Sequence, residues 1–245
     1  MPIPHPSGTM KPDYTHITVI LDRSGSMQRI ADDIIGGFND FVHQQKEGTG
    51  TATLTLVQFD TQDPYEVIHW FKPIGEIPPL TNETFIPRAS TPLWDAVGRG
   101  IADLERSLSL LPPEAQPEQV VIVVVTDGME NSSHQFRGSQ IRKMITEKSE
   151  KHQWQFVYLS ADLNAVNEAE KTGFSKTSSM SYDPSAAGVK DAWYSTADTI
   201  RKYRNKSQAS VHFSEEDRKR QQSEQKRQQQ AKKNEQTPEP PEEHS

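Results

Sequence analysis

The chain has 245 residues, 33% hydrophobic and 25% charged, with a formal net charge of −7 and no cysteine. That length fits one domain of ordinary size plus a polar excess. The acidic balance tilts against nucleic acid as a main partner, and the missing cysteines exclude disulfides, thiolate metal sites and a cysteine nucleophile.

The N-terminal stretch 1–13 is proline-rich and reads as a flexible leader with no apolar signal core. Ile17–Leu21 is an apolar, β-branched first strand. It runs into Asp22-Arg23-Ser24-Gly25-Ser26. From Met27 to about Glu47, the apolar residues Ile30, Ile34, Ile35, Phe38, Phe41 and Val42 keep helical spacing. Thr51–Phe59 alternates as a second strand. The turn at Asp60–Pro64 then returns the chain as a third strand over Tyr65–Phe71, which makes the pair an antiparallel hairpin. Residues 73–87 form a proline-crowded loop. Thr91-Pro92 signals a helix start with Pro at the first position, and Leu93, Val97, Ile101, Leu104, Leu108 and Leu111 carry that helix.

Val120–Val125 is an unbroken apolar run, too short to cross a bilayer and right for a strand buried on both faces of a parallel sheet. It ends in Thr126-Asp127-Gly128. Ile141, Met144, Ile145 and Lys148 mark a helix, Trp154–Leu159 a fifth strand, Leu163–Lys171 a short helix, Phe174–Ser178 a short last strand and Pro184–Tyr203 a final helix. From Ser214 onward the chain is Gln, Lys, Arg and Glu, then Pro and Glu, and reads as a solvated helix or as disordered, adding nothing to the core. The tripeptides Asn131-Ser132-Ser133 and Asn205-Lys206-Ser207 match a glycosylation acceptor by coincidence, since no secretory route is visible and the expected location is cytoplasmic.

Strands alternating with helices predict an α/β fold: a doubly wound, mostly parallel six-stranded sheet with one antiparallel edge strand and helices on both faces. Ligands of such sheets bind beyond the carboxyl ends of the strands, near the topological switch point. Asp22 and Asp127 both stand at strand carboxyl ends, and Thr91 at a loop-to-helix junction. In Asp22-x-Ser24-x-Ser26 one carboxylate and two hydroxyls alternate along a tight turn, an arrangement that lets three oxygens converge on a hard cation. The pentapeptide alone reads equally as a helix N-cap by Ser24 or Ser26.

Asp22-x-Ser24-x-Ser26, Thr91-Pro92-Leu93 before a helix, and Thr126-Asp127-Gly128 after an apolar strand, in that order, resemble the von Willebrand factor A domain family and its metal-ion-dependent adhesion site. The resemblance covers roughly residues 14–213 and points to an intracellular single-domain member of bacterial or phage type. It implies that Ser24, Ser26 and, in one state, Thr91 ligate a metal through hydroxyls. Asp22 and Asp127 would hold metal-bound waters, and a partner's carboxylate would take the open position. Oxygen-only ligands suit Mg²⁺ or Mn²⁺. The family often carries two glycines before the Thr, where this chain has Ala89 and Ser90.

The expected function is therefore a non-enzymatic, metal-dependent module that binds a protein through an acidic residue, with no nucleic acid and no membrane as partner. Two alternatives stand beside it. One is an accessory subunit of an ATPase complex. The other is a Mg²⁺-dependent phosphoryl-transfer enzyme with Asp22 as nucleophile; against it, there is no Gly-rich phosphate loop and no cation near the motifs apart from Arg23 and Arg88. Asp162 is expected to cap a helix, His134 to be solvated, Met27 and Met129 to flank the site, and Asp32 and Asp33 to be solvated charge.

Overall fold

The structure is a computed structural model, and it describes residues 10–222 and 224. Six strands form one sheet: β1 (Lys11–Asp22), β2 (Thr51–Phe59), β3 (Glu66–Pro73), β4 (Pro117–Thr126), β5 (Gln155–Ser160) and β6 (Ser179–Ser181). Their order is β3-β2-β1-β4-β5-β6. All neighbours pair in parallel except β2 and β3, so the antiparallel strand sits at one edge. Five helices flank the sheet: α1 (Ala31–Lys46), α2 (Leu93–Ser109), α3 (Gly138–His152), α4 (Leu163–Lys171) and α5 (Ala186–Arg204).

Burial explains the layers. Ile17, Val19 and Leu21 of β1 face one way and pack with Ile34, Phe38 and Phe41 of α1 and Trp193 and Ile200 of α5. Ile20 faces the other way, with Val97 and Ile101 of α2, Ile141 of α3 and Val166 of α4. A strand apolar on both faces is what a parallel sheet covered on both sides requires. Gly37 lets α1 and α5 approach, since a Cβ there would stand 2.1 Å from Cδ1 of Trp193. The chain winds outward from β1 to β3, returns to β4 and winds outward again. The switch point therefore falls between the carboxyl ends of β1 and β4.

Several expectations need revision. Lys11–Asp13, placed in the leader, belong to β1, where Lys11 pairs with Pro117; residues 1–9 lie outside the described residues. The expected strand over 174–178 is a turn of 3-10 helix at Lys176–Ser178, initiated by the Ser175 side chain, and β6 follows at Ser179–Ser181. Pro92 is the N-cap of α2 rather than its first residue.

The segment after Ser214 takes the helical form, one of the two expected, but is docked rather than solvated. Residues 215–222 are helical and bind the body through polar side chains. Arg218 donates to the carbonyls of Ser179, Lys176 and Thr177. Gln221 is buried and bonds in both directions, accepting from the Asp183 N–H (3.0 Å) and donating to the Gly188 carbonyl (2.9 Å). The rest of the tail, apart from 224, lies outside the described residues. Among the described residues no helix is long and apolar enough to cross a membrane.

Candidate metal centre

The turn after β1 is shaped by its own carboxylate. Asp22 is fully buried, and its Oδ1 accepts the Ser24 N–H at 2.6 Å, which folds the chain back on itself. Its Oδ2 accepts from the Thr126 hydroxyl at 2.5 Å, across the switch point. A 3-10 turn over Gly25–Ile30 leads into α1, so the first turn beyond the site is not yet α-helical. Ser24 sits at the N-cap of that turn, yet its side chain makes no capping bond. Its hydroxyl points instead to the Ser26 hydroxyl, 3.2 Å away. The Ser26 hydroxyl donates to Asp127 Oδ1 at 2.6 Å. The helix-cap reading of the pentapeptide therefore does not describe these side chains.

Asp127 follows the last residue of β4 and is 7% exposed. Its Oδ2 is buried without a hydrogen bond, with an Arg29 guanidinium nitrogen 3.6 Å away on a side chain that is 71% exposed. A buried carboxylate oxygen left unbonded is costly and marks where a cation would be welcome. Burial pushes the Asp22 carboxyl up to about 7, against the bonds from Thr126 and Ser24 that lower it; the Asp127 charge adds to the rise.

Thr91 joins the rim through backbone. The Gly25 N–H donates to the Ala89 carbonyl (3.0 Å), and the Arg88 N–H to the Arg23 carbonyl (2.8 Å), so the 88–91 loop lies along the turn. A Cβ on Gly25 would meet the Ala89 oxygen at 3.4 Å, the limit of comfortable contact. Ala89 occupies the left-handed region at φ 58°, a conformation that favours glycine. A non-glycine residue in this region bears backbone strain. Thr91 itself is buried, and its N–H and carbonyl bond to Asn131 Oδ1 (3.0 Å) and the Asn131 N–H (3.2 Å).

Two supports were invisible to sequence reasoning. The first is a buried ion cluster beneath the turn. Asp60, at the end of β2, accepts from Arg23 Nε at 2.9 Å and Arg88 Nε at 3.0 Å through one oxygen, while Arg23 also reaches Gln58 and Glu66. Burial raises the Asp60 carboxyl, but the Asp63 and Gln62 N–H groups and the two guanidinium groups outweigh it, and the net shift is downward.

The second support is the 130–136 loop, which is latched to the start of α2. Glu130 accepts from the N–H groups of Trp94, Ser132 and Ser133. Asp95 accepts from those of His134, Gln135 and Phe136. The rim positions of Thr91 and Asp127 are thus tied to each other as well as to the sheet.

Of the other candidates, Asp162 caps α4 by accepting from the Asn164 N–H, and Met27 is buried in the core. Met129 is 46% exposed, and Asp32 is exposed and accepts from Asn82. Among the described residues no group of three or more His, Cys, Asp or Glu side chains could hold a metal. The rim brings together two carboxylates, Asp22 and Asp127, and the Ser24 and Ser26 hydroxyls, with the Thr91 backbone held alongside.

No family model matches the chain, and no curated protein matches it. Solved structures do resemble its fold. Proximal thread matrix protein 1 from the mussel byssus, solved with a zinc-occupied MIDAS motif, superposes with a TM-score of 0.52 at 15% identity, over 79% of this chain and 46% of its own. The pilus adhesin SpaC from Lactobacillus rhamnosus GG gives a TM-score of 0.58 at 13% identity, over 80% and 31%. A von Willebrand factor type A protein from Catenulispora acidiphila gives 0.51 at 10% identity, over 79% and 43%. The chain spans under half the length of each of these proteins. At such identities the likeness is one of fold.

Proposed function

We propose that the chain is a divalent-metal-dependent protein-binding module. In this reading Asp22, Ser24, Ser26, Thr91 and Asp127 hold the ion, and an acidic residue of a partner completes its coordination. The observation that carries the reading is the buried, unbonded Oδ2 of Asp127, set beside the linked hydroxyls of Ser26 and Ser24 and within one network with Asp22.

The donors are all oxygen and include neutral hydroxyls, which suits Mg²⁺ or Mn²⁺. The zinc in the MIDAS motif of the mussel protein supports a divalent ion at such a site without fixing which one. When bound, the ion supplies an electrophilic position open to a carboxylate. This chain's residues do the rest: Thr126 orients Asp22, the Arg23–Asp60–Arg88 cluster holds the turn against the 88–91 loop, and Asn131 fixes Thr91.

Asp22 as a phosphoryl-accepting nucleophile is the weaker reading. Its two oxygens are taken by Thr126 and the Ser24 N–H, and the side chain is fully buried. A place beside an ATPase in the cytoplasm is a special case of the binding module. Complexes captured from the native cell in Mg²⁺ should release in EDTA, and Ser26→Ala should capture none of the EDTA-sensitive fraction. A complex that keeps full affinity in EDTA would refute the metal-dependent mechanism.

A further inference from the structure

Beside the rim, on the α2 face of the sheet, lies a cavity of about 210 Å³. Its walls follow from the site's own elements. Leu93 is two residues beyond Thr91, Met129 is two beyond Asp127, and Tyr158 on β5 pairs with Val124 of β4. Ala165 closes it from α4.

Three properties set it apart from an ordinary gap in packing. First, its polar character is acidic: Glu130 and Glu168 line it and no basic residue does. Glu130 is held in place by the N–H groups of Trp94 (2.9 Å), Ser132 (2.7 Å) and Ser133 (2.6 Å). Its charge is therefore fixed in direction, with no cation beside it in the lining. Glu168 pairs at 3.0 Å with Lys171, whose side chain is 73% exposed, a surface contact of small strength. Second, two aromatic side chains, Trp94 and Tyr158, form part of the wall. Third, the Tyr158 hydroxyl is fully buried and makes no hydrogen bond. An unbonded buried hydroxyl is unfavourable until a ligand or water reaches it.

We infer that this cavity takes a basic side chain, lysine or arginine, of the same partner segment whose acidic residue meets the rim; the inference rests on the metal-site reading above. Charge complementarity selects the occupant: two carboxylates and aromatic faces favour a cation, and they reject an acidic residue. The apolar surfaces of Leu93, Met129 and Ala165 suit the methylene stem of such a side chain. Size agrees: 210 Å³ is the space of about seven waters at roughly 30 Å³ each, which accommodates an arginine side chain. The module thus reads two opposite charges at once, an anion at the rim and a cation in the cavity.

The test uses a displayed heptapeptide library with a fixed central Asp, panned on the full chain in Mg²⁺ and eluted with EDTA. The expected result is enrichment of Lys or Arg at one fixed offset from the Asp. The best peptide should lose about two- to fivefold in affinity when panned against Glu168→Gln, whose carboxylate is part-exposed, and should lose affinity again against Ala165→Met, which fills the cavity. In both variants binding should remain EDTA-sensitive and dependent on the Asp. EDTA-eluted peptides that need the Asp but carry no basic enrichment would overturn the inference alone. Enrichment of uncharged apolar residues, or basic enrichment that both variants leave unchanged, would do the same. If no peptide elutes with EDTA, the metal-site reading fails and the inference falls with it.

Discussion

One histidine on the central strand should pull stability down as pH falls, opposite in sign to the raised Asp22 carboxyl. His16 is fully buried in β1, with Nδ1 2.8 Å from the Thr53 hydroxyl, Nε2 3.2 Å from the Thr18 hydroxyl and its ring stacked 3.9 Å from that of Phe71. Among the described residues no carboxylate bonds to it, and burial lowers its pKa from 6.5 to about 3. The folded state therefore keeps His16 neutral while the unfolded chain protonates it. The stability this supplies is full above 6.5 and is lost as pH falls toward 3, at up to about 1.36 kcal/mol per unit. Between pH 6 and pH 4 the loss integrates to about 2.5 kcal/mol. His16→Gln removes the titration and keeps a polar side chain. The variant is expected to be less stable than the wild type at pH 7, but the gap should narrow by about that amount on going from pH 6 to pH 4. Urea unfolding of both proteins in EDTA at half-unit steps measures it, and the difference between them cancels the other titrating groups. A gap that stays constant across this range would refute the reasoning.

Two further perturbations address the supports of the site and the tail. Gln221→Ala leaves the Asp183 N–H and the Gly188 carbonyl without their bonds. It should cost about 2 kcal/mol, or roughly 4–8 °C in a thermal melt of a chain this size; a shift under a degree would show that the helix after Ser214 is not docked in solution. Asp60→Ala takes one of two acidic partners from the buried Arg23 guanidinium, leaving it to Glu66 and Gln58, and should cost about 1–3 kcal/mol. Asp60→Asn should cost less while weakening Mn²⁺ binding measured by titration calorimetry, and Mn²⁺ affinity equal to wild type in that variant would mean the cluster does not set the rim.

Much of this was legible because it is periodic or local. The second strand and the α4 helix fall where their apolar spacing places them, and the mostly parallel six-stranded sheet with one antiparallel edge strand follows from the alternation of strands with helices and the short turn at Asp60–Pro64. Asp22 and Asp127 stand at or beside strand ends, Ser24 and Ser26 in the turn after the first, and Thr91 in the loop before α2, all positions a sequence reading can single out. What was hidden is held by partners far apart in sequence. The amino end of β1 is polar, and its buried Thr15 and His16 are satisfied by Gln119 and Thr53, which no local pattern reveals. Arg23 and Asp60 are 37 positions apart, and Arg88 joins them from a third segment. The expected strand at 174–178 was misplaced because Phe174 is a core plug preceding a 3-10 turn, not the start of a pleat. The helix after Ser214 has no apolar stripe; it docks by giving side-chain hydrogen bonds to backbone carbonyls, a mode that hydrophobic periodicity cannot report.

The metal site is tested most directly by melting wild type and Asp127→Asn with Mg²⁺ and with EDTA. An ion that binds only the folded state adds about 2.7 kcal/mol at a hundred times its dissociation constant. For a domain of this size that is roughly 5–10 °C. Asp127→Asn keeps the shape but removes one of two charges that repel without metal, as the upward push of Asp127 on Asp22 shows. In EDTA the variant should be at least as stable as wild type, and in millimolar Mg²⁺ it should have lost most of the shift. A wild-type melt that Mg²⁺ does not move, or a shift that survives intact in Asp127→Asn, would contradict a metal site at Asp22, Ser24, Ser26, Thr91 and Asp127.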